Sequence, residues 1–254
     1  MLLQDSRNLR FVLLASVSLH VELAFIRLAF VTIGWTMPTN HRTALLNLIA
    51  THSFKLGDFQ LASGGRSDYY IDCRTTTLHA EGGRLAGLLL YELIRERFPE
   101  AEAVGGLTMG ADPLVSNIAS ASAWAAVDYT EILEMASVLE LGENEDPGPV
   151  PSLVHGFLVR KVEKIHGTGR RIEGFLQPGA QVVIVDDVCT TGGSTITAIE
   201  AAREAGMIVT GVVCLVDREQ GGRVAIEAVA GSTPFVALFT ASDVRAAHAA
   251  PDNA

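Results

Sequence analysis

Gln181 to Thr195 reads QVVIVDDVCTTGGST. Four β-branched residues, Val182 to Val185, run into two adjacent carboxylates, Asp186 and Asp187. A run that is apolar at every position reads as a strand buried on both faces of a sheet. Beyond the acids lies a small, hydroxyl-rich turn, Val188-Cys189-Thr190-Thr191-Gly192-Gly193-Ser194, and then STITAIEAAREAG (Ser194 to Gly206), a helix closed by glycine. Strand, turn and helix in this order belong to an α/β sheet, where ligands bind beyond the carboxyl ends of the strands.

The turn has the composition of an anion cradle. Amides of Thr191 to Ser194 at a helix N-terminus, with the hydroxyls of Thr190, Thr191 and Ser194, suit one phosphate, and the two glycines allow close approach. No GxxxxGK[ST] or GxGxxG pattern is present, so neither a Walker loop nor a dinucleotide fingerprint explains it. Two carboxylates repel an anion but accept hydrogen bonds well from the neutral diol of a sugar. A ribose 5-phosphate satisfies both halves of the stretch.

Working outward, the same alternation recurs. AVGGL (Ala103 to Leu107), GFLVR (Gly156 to Arg160), VTGVVCLVD (Val209 to Asp217) and FVALF (Phe235 to Phe239) read as further strands, and SDYYIDCR (Ser67 to Arg74) has strand composition. Helices are expected near Asn40 to His52, at Gly83 to Phe98, and from Asp112, where Pro113 suits a first helical turn. The pattern predicts one α/β domain with a mostly parallel central sheet, helices on both faces and a small N-terminal hood.

Composition restricts the partners. The chain has 254 residues, 48% of them hydrophobic, enough for a sizeable core. Its 19 Lys and Arg against 29 Asp and Glu give a net charge of −10, which argues against coating nucleic acid or an anionic membrane. Cys73, Cys189 and Cys214 show no CxxC spacing and read as reduced thiols of a cytoplasmic protein. FVLLASVSLHVELAFIRLAFVTIGW (Phe11 to Trp35) is apolar, but Glu22 and Arg27 interrupt it and no small-residue cleavage site follows, so a membrane span is not expected. Residues 1–36 read as an extension of doubtful relevance and 37–254 as the working domain, with an acidic insertion at about 125–151.

VVIVDDVCTTGGST resembles the phosphoribosyl pyrophosphate signature of type I phosphoribosyltransferases. Three other segments narrow the resemblance to orotate phosphoribosyltransferases. FQLASGGRSDYYIDCR (Phe59 to Arg74) is similar to that family's hood, VGGLTMGADP (Val104 to Pro113) to its pyrophosphate loop, and VRKVEKIHG (Val159 to Gly167) to its mobile catalytic loop. The likeness runs in order from about Met37 to about residue 245. It implies the type I phosphoribosyltransferase fold, transfer of a 5-phosphoribosyl group from phosphoribosyl pyrophosphate to orotate, Mg2+ carried with the substrate, and a homodimer whose catalytic loop reaches the neighbouring subunit's site.

By the same resemblance, Asp186 and Asp187 hold the ribose, directly or through metal-bound water, Thr190 to Ser194 hold the 5-phosphate, and Val188 and Cys189 count with them among the residues that bind phosphoribosyl pyrophosphate. Thr190 and Arg218 contact orotate and Tyr70 lies against the pyrimidine. Arg160, Lys161, Lys164 and His166 meet the pyrophosphate. Chemistry supports this loop independently, because with Arg170 and Arg171 it concentrates cations in an acidic chain, and fixed cations stabilise a leaving pyrophosphate. Arg218 offers a guanidinium to a carboxylate. The chain departs from the family pattern at Ala62 and at Thr108-Met109, where many members carry lysine in the hood and Tyr-Lys in the pyrophosphate loop. Two other readings remain open from these residues: transfer to a different base, and a non-enzymatic sensor of phosphoribosyl pyrophosphate built on the same fold.

Overall fold

The computed structural model describes residues 40–60, 65–138, 150–161 and 171–250. The chain divides into two compact units, Asn40–Ala126 with Pro151–Ala254, and Met1–Thr39 with Val127–Val150. Of the second unit, the described residues are Val150 and the end of one helix, so the apolar stretch before Met37 and most of the acidic insertion lie outside them.

The first unit begins with helix α1 (Asn40–Leu48), which runs through a wider turn at Ile49–Ser53 into a hairpin of β1 (Phe54–Gln60) and β2 (Arg66–Ile71). After the short helix α2 (Arg74–Thr77) and the long α3 (Ala80–Arg97) come β3 (Ala103–Leu107) and α4 (Asp112–Val138). The chain continues through β4 (His155–Val159), β5 (Ile172–Gly174), β6 (Gln181–Cys189), α5 (Gly193–Glu204), β7 (Ile208–Asp217), α6 (Gly222–Ala230), β8 (Phe235–Thr240) and α7 (Ala241–Ala249). Six strands form the main sheet in the order β5-β4-β3-β6-β7-β8. All neighbouring pairs are parallel except β4 with β5, so β6 lies inside the sheet, bonded on both sides.

Alternation along the inner strands explains their unbroken apolar character. Val183 and Val185 of β6 join Val213 and Leu215 of β7 in the core beneath α3 and α4. Val182 and Ile184, with Val212 and Cys214, face the core made with α5 and α6. Successive strand residues point to opposite faces, so a strand covered on both sides must be apolar at every position.

One expectation changes. SDYYIDCR does not continue as a strand to Arg74: β2 stops at Ile71, because the Asp72 carboxylate accepts a hydrogen bond from the Arg74 amide at 3.1 Å and turns the chain into α2. The N-terminal hood is also held from the far side by α7. His248 of α7 lies 2.9 Å from the Ala50 carbonyl through Nδ1, and Arg245 pairs with Asp68 of β2, so the C-terminal helix braces the hairpin.

Candidate active site

The acid pair sits near the carboxyl end of β6, and its two members face different sides of the sheet. Asp186 continues the Val182 and Ile184 face; it is 7% exposed and accepts a 2.6 Å hydrogen bond from the Thr195 hydroxyl of α5. Asp187 continues the opposite face and meets the loop after β3, where a Cβ on Gly110 would come within 2.3 Å of the Asp187 carboxylate. Only a residue without a side chain allows that approach. Burial, and then the neighbouring charge of Asp187, pushes the Asp186 carboxyl up to about 7. Burial likewise raises the Asp187 carboxyl above the usual range.

Following β6, Gly192 adopts a left-handed conformation with φ of 82°, and α5 starts at Gly193. A side chain at Gly192 would also meet the Gly222 carbonyl and Ile226 of α6, so this turn is shaped by α6 as well as by its own sequence. Thr190, Thr191, Gly193 and Ser194 remain at least partly accessible, as an anion cradle requires. Cys189, expected among the residues that bind phosphoribosyl pyrophosphate, lies behind the cradle. It is fully buried, its amide donates to the Cys214 sulfur at 3.2 Å, and its carbonyl accepts from the Arg218 amide at 2.8 Å. Through these bonds it supports the turn.

A cavity of about 240 Å³ opens beside the acids. Asp186, Asp187, Val188 and Ser194 line it from β6 and α5, Tyr70, Asp72 and Arg74 from the end of the hood, and Thr108, Met109 and Gly110 from the loop after β3. The Thr108-Met109 peptide is cis. Lys161 reaches the same cavity from the end of β4. Of the residues expected at the site, Tyr70, Lys161, Asp186, Asp187, Val188 and Ser194 line this cavity. Lys164, His166 and Arg170 lie outside the described residues.

The remaining cations are placed differently. Arg160 is paired with Glu173 of β5, its Nε at 3.1 Å and Nη2 at 3.0 Å from the same carboxylate oxygen, and Arg171 pairs with Glu204 at 3.0 Å. Arg218 follows β7 and is 6% exposed. Its Nη2 donates to the Ser67 hydroxyl at 3.3 Å, its guanidinium carbon lies 4.8 Å from the centre of the Tyr69 ring, and its Nε is buried without a partner among the described residues. A buried guanidinium with an unspent donor is suited to a carboxylate, whose arrival would satisfy it. Tyr69 and Tyr70 divide the work of the hairpin, Tyr69 against Arg218 and Tyr70 in the cavity beside Phe59.

The orotate phosphoribosyltransferase of Synechocystis sp. is 42% identical over 205 residues, spanning 80% of this chain and 88% of that relative. The chain belongs to the orotate phosphoribosyltransferase family. A sequence model described as a phosphoribosyl transferase domain matches residues 159–232, which include β6, the cradle and Arg218. The structure of Mycobacterium tuberculosis orotate phosphoribosyltransferase in complex with Fe(III) dicitrate is 33% identical, with a TM-score of 0.61 over 80% of this chain and 98% of that one. A structure of the same enzyme in complex with 5-phospho-alpha-D-ribosyl 1-diphosphate has a TM-score of 0.55 at 28% identity, covering 80% and 91%. The fold is that of the type I phosphoribosyltransferases, with a mostly parallel sheet between two helical layers.

Sequence reading missed Asp72 and Arg74, which line the cavity, and Ser67 and Tyr69, which hold Arg218. An acid and a base two residues apart, at the end of a strand rich in tyrosine, was the available signal for the first pair. Nothing local marked the second, because Ser67 and Arg218 are 151 positions apart.

Proposed function

We propose that this chain transfers the 5-phosphoribosyl group of phosphoribosyl pyrophosphate to N1 of orotate, releasing pyrophosphate and orotidine 5'-monophosphate for de novo pyrimidine synthesis. The observation that carries the reading is the cavity in which the acid pair of β6, the N-terminus of α5 and Lys161 meet, in a chain of this family. The relative solved with 5-phospho-alpha-D-ribosyl 1-diphosphate supports the donor substrate.

Position, charge and the family resemblance support the following roles. Thr190 to Ser194 hold the 5-phosphate through amides and hydroxyls, and Asp187, with Asp186 behind it, accepts hydrogen bonds from the ribose hydroxyls. Departure of pyrophosphate leaves positive charge on the anomeric carbon, which the nearby carboxylates favour. Lys161 meets the negative charge growing on the leaving group, and Lys164 and His166 are assigned to the same task. Arg218 orients orotate by its carboxylate while Tyr70 lies along the ring, so N1 faces the sugar and no covalent enzyme intermediate is required.

Magnesium fits the donor set. Asp186 and Asp187 are hard oxygen donors whose raised carboxyls would be relieved by a cation. Among the described residues no group of three His, Cys, Asp or Glu side chains forms a metal cage, which suits an ion that shares its ligands with substrate phosphates. When bound, it would neutralise charge on the diphosphate. We further assign a homodimer with a shared catalytic loop, and a cytoplasmic setting; no described helix is long and apolar enough to cross a membrane.

The test is loss of orotate absorbance with phosphoribosyl pyrophosphate and magnesium, run beside adenine, hypoxanthine and uracil. Turnover with orotate alone is expected. Turnover only with another base would replace the acceptor, and none with any base would leave a sensor.

A further inference from the structure

Three carboxylates, Asp72, Asp186 and Asp187, line the cavity assigned to a polyanionic substrate. Among its described lining residues, Arg74 and Lys161 carry the positive charge, while Met109, 66% exposed at the same cavity, presents a neutral thioether. Lys161 lies two residues beyond the end of β4, whereas Arg74 is the first residue of α2, part of the folded hood.

Arg74 is held in a defined pose. Its Nε donates to one Asp72 oxygen at 2.8 Å and its Nη2 to the other at 2.7 Å, a parallel fork that fixes the guanidinium plane. The same carboxylate binds the Arg74 amide at 3.1 Å, so side chain and backbone are clamped by one residue. Two of the five guanidinium N–H groups are spent there, leaving both on Nη1 and one on Nη2. The side chain is 41% exposed, and its charge reaches Asp187 across the cavity. An arginine that only neutralised Asp72 could do so on the outer surface; this one does so at the wall of the substrate cavity.

We propose that Arg74, presented by Asp72, is a ligand for the pyrophosphate moiety of phosphoribosyl pyrophosphate. This rests on the phosphoribosyl reading of the site and adds to it a cation fixed within the fold, beside the loop cations. The free edge of the guanidinium provides a second fork for two phosphate oxygens. Orotidine 5'-monophosphate lacks that moiety and therefore does not use Arg74.

Calorimetric titration of magnesium pyrophosphate, and separately of orotidine 5'-monophosphate, into wild type, Arg74→Gln and Arg74→Lys tests this, with thermal unfolding in parallel. Arg74→Gln should weaken pyrophosphate by about tenfold or more while the nucleotide shifts by less than about twofold. Arg74→Lys should fall between. Pyrophosphate affinity within about twofold of wild type in Arg74→Gln would overturn the proposal, as would parallel weakening of both ligands with a lowered Tm. If Arg74→Gln does not fold, Arg74→Lys decides: KM for phosphoribosyl pyrophosphate should rise with kcat retained, and an unchanged KM refutes the assignment. Failure of wild type to turn over orotate would sink the functional reading separately, because the pyrophosphate titration does not need the acceptor.

Discussion

Asp186 and Asp187 are adjacent in sequence, yet the pleat of β6 gives them different environments. Asp186 is buried behind Thr195, and its carboxyl stands at about 7 against an ordinary 3.8. The folded state therefore binds more protons than the unfolded state between those values. Stability from this group is present below about pH 4 and is lost as pH rises toward 7. Asp186→Asn keeps an acceptor for Thr195 without the buried charge; it should flatten this decline and gain roughly 1 to 3 kcal/mol at pH 8 in urea unfolding. An unchanged pH profile would show that the carboxyl titrates normally. At Gly110, a methyl group 2.3 Å from the Asp187 carboxylate meets a movable side chain and no backbone. Gly110→Ala should cost less than about 2 kcal/mol of stability, yet lower kcat/KM at least about tenfold by pushing the carboxylate off the sugar. Comparing urea midpoints with kinetics separates the two effects.

Among the elements, what was legible in sequence is what local pattern determines. The β6 strand, the glycine turn and α5 were readable because apolar alternation, two acids, a cradle and a closing glycine follow in one contiguous run. Ala103–Leu107 and the Asp112 start of α4 were equally plain. The three-residue β5 is too short for a periodic signal and exists because β4 offers it an edge. The nine-residue helices α6 and α7 were not read, though α7 has a full capping box between Thr240 and Asp243. Their value is tertiary: α6 shapes the cradle through Gly222, and α7 braces the hairpin through Arg245 and His248. Thr240→Ala removes the side-chain half of that box. It should cost about 1 kcal/mol and lower Tm by about 2 to 4 °C, measured by calorimetry, with the orotate site intact. A larger fall in orotate affinity than in Tm would show that α7 also positions Arg218 through the hairpin.

Across the whole molecule, a chain of net charge −10 must gather cations to receive a diphosphate and the carboxylate of orotate, and they come from separate places. Arg218 is fixed under Tyr69, Arg74 is fixed by Asp72, and Lys161 reaches the cavity from the start of VRKVEKIHG. A loop of that kind can serve its own subunit or a neighbour, and the two arrangements give different numbers when inactive variants are mixed. Lys161→Ala and Asp187→Ala should each be nearly inactive alone, the first lacking the loop cation and the second the sugar carboxylate. If subunits pair at random, about half the dimers in an equal mixture combine both variants. With loops exchanged between subunits, each mixed dimer has one complete site, built from Asp187 of one copy and Lys161 of the other. The mixture, unfolded and refolded together, should then recover about a quarter of wild-type kcat. With each loop serving its own subunit, every site in the mixed dimer lacks one residue or the other. Activity would then stay at the level of the separate variants, which would rule out exchange while leaving the roles of both residues in place.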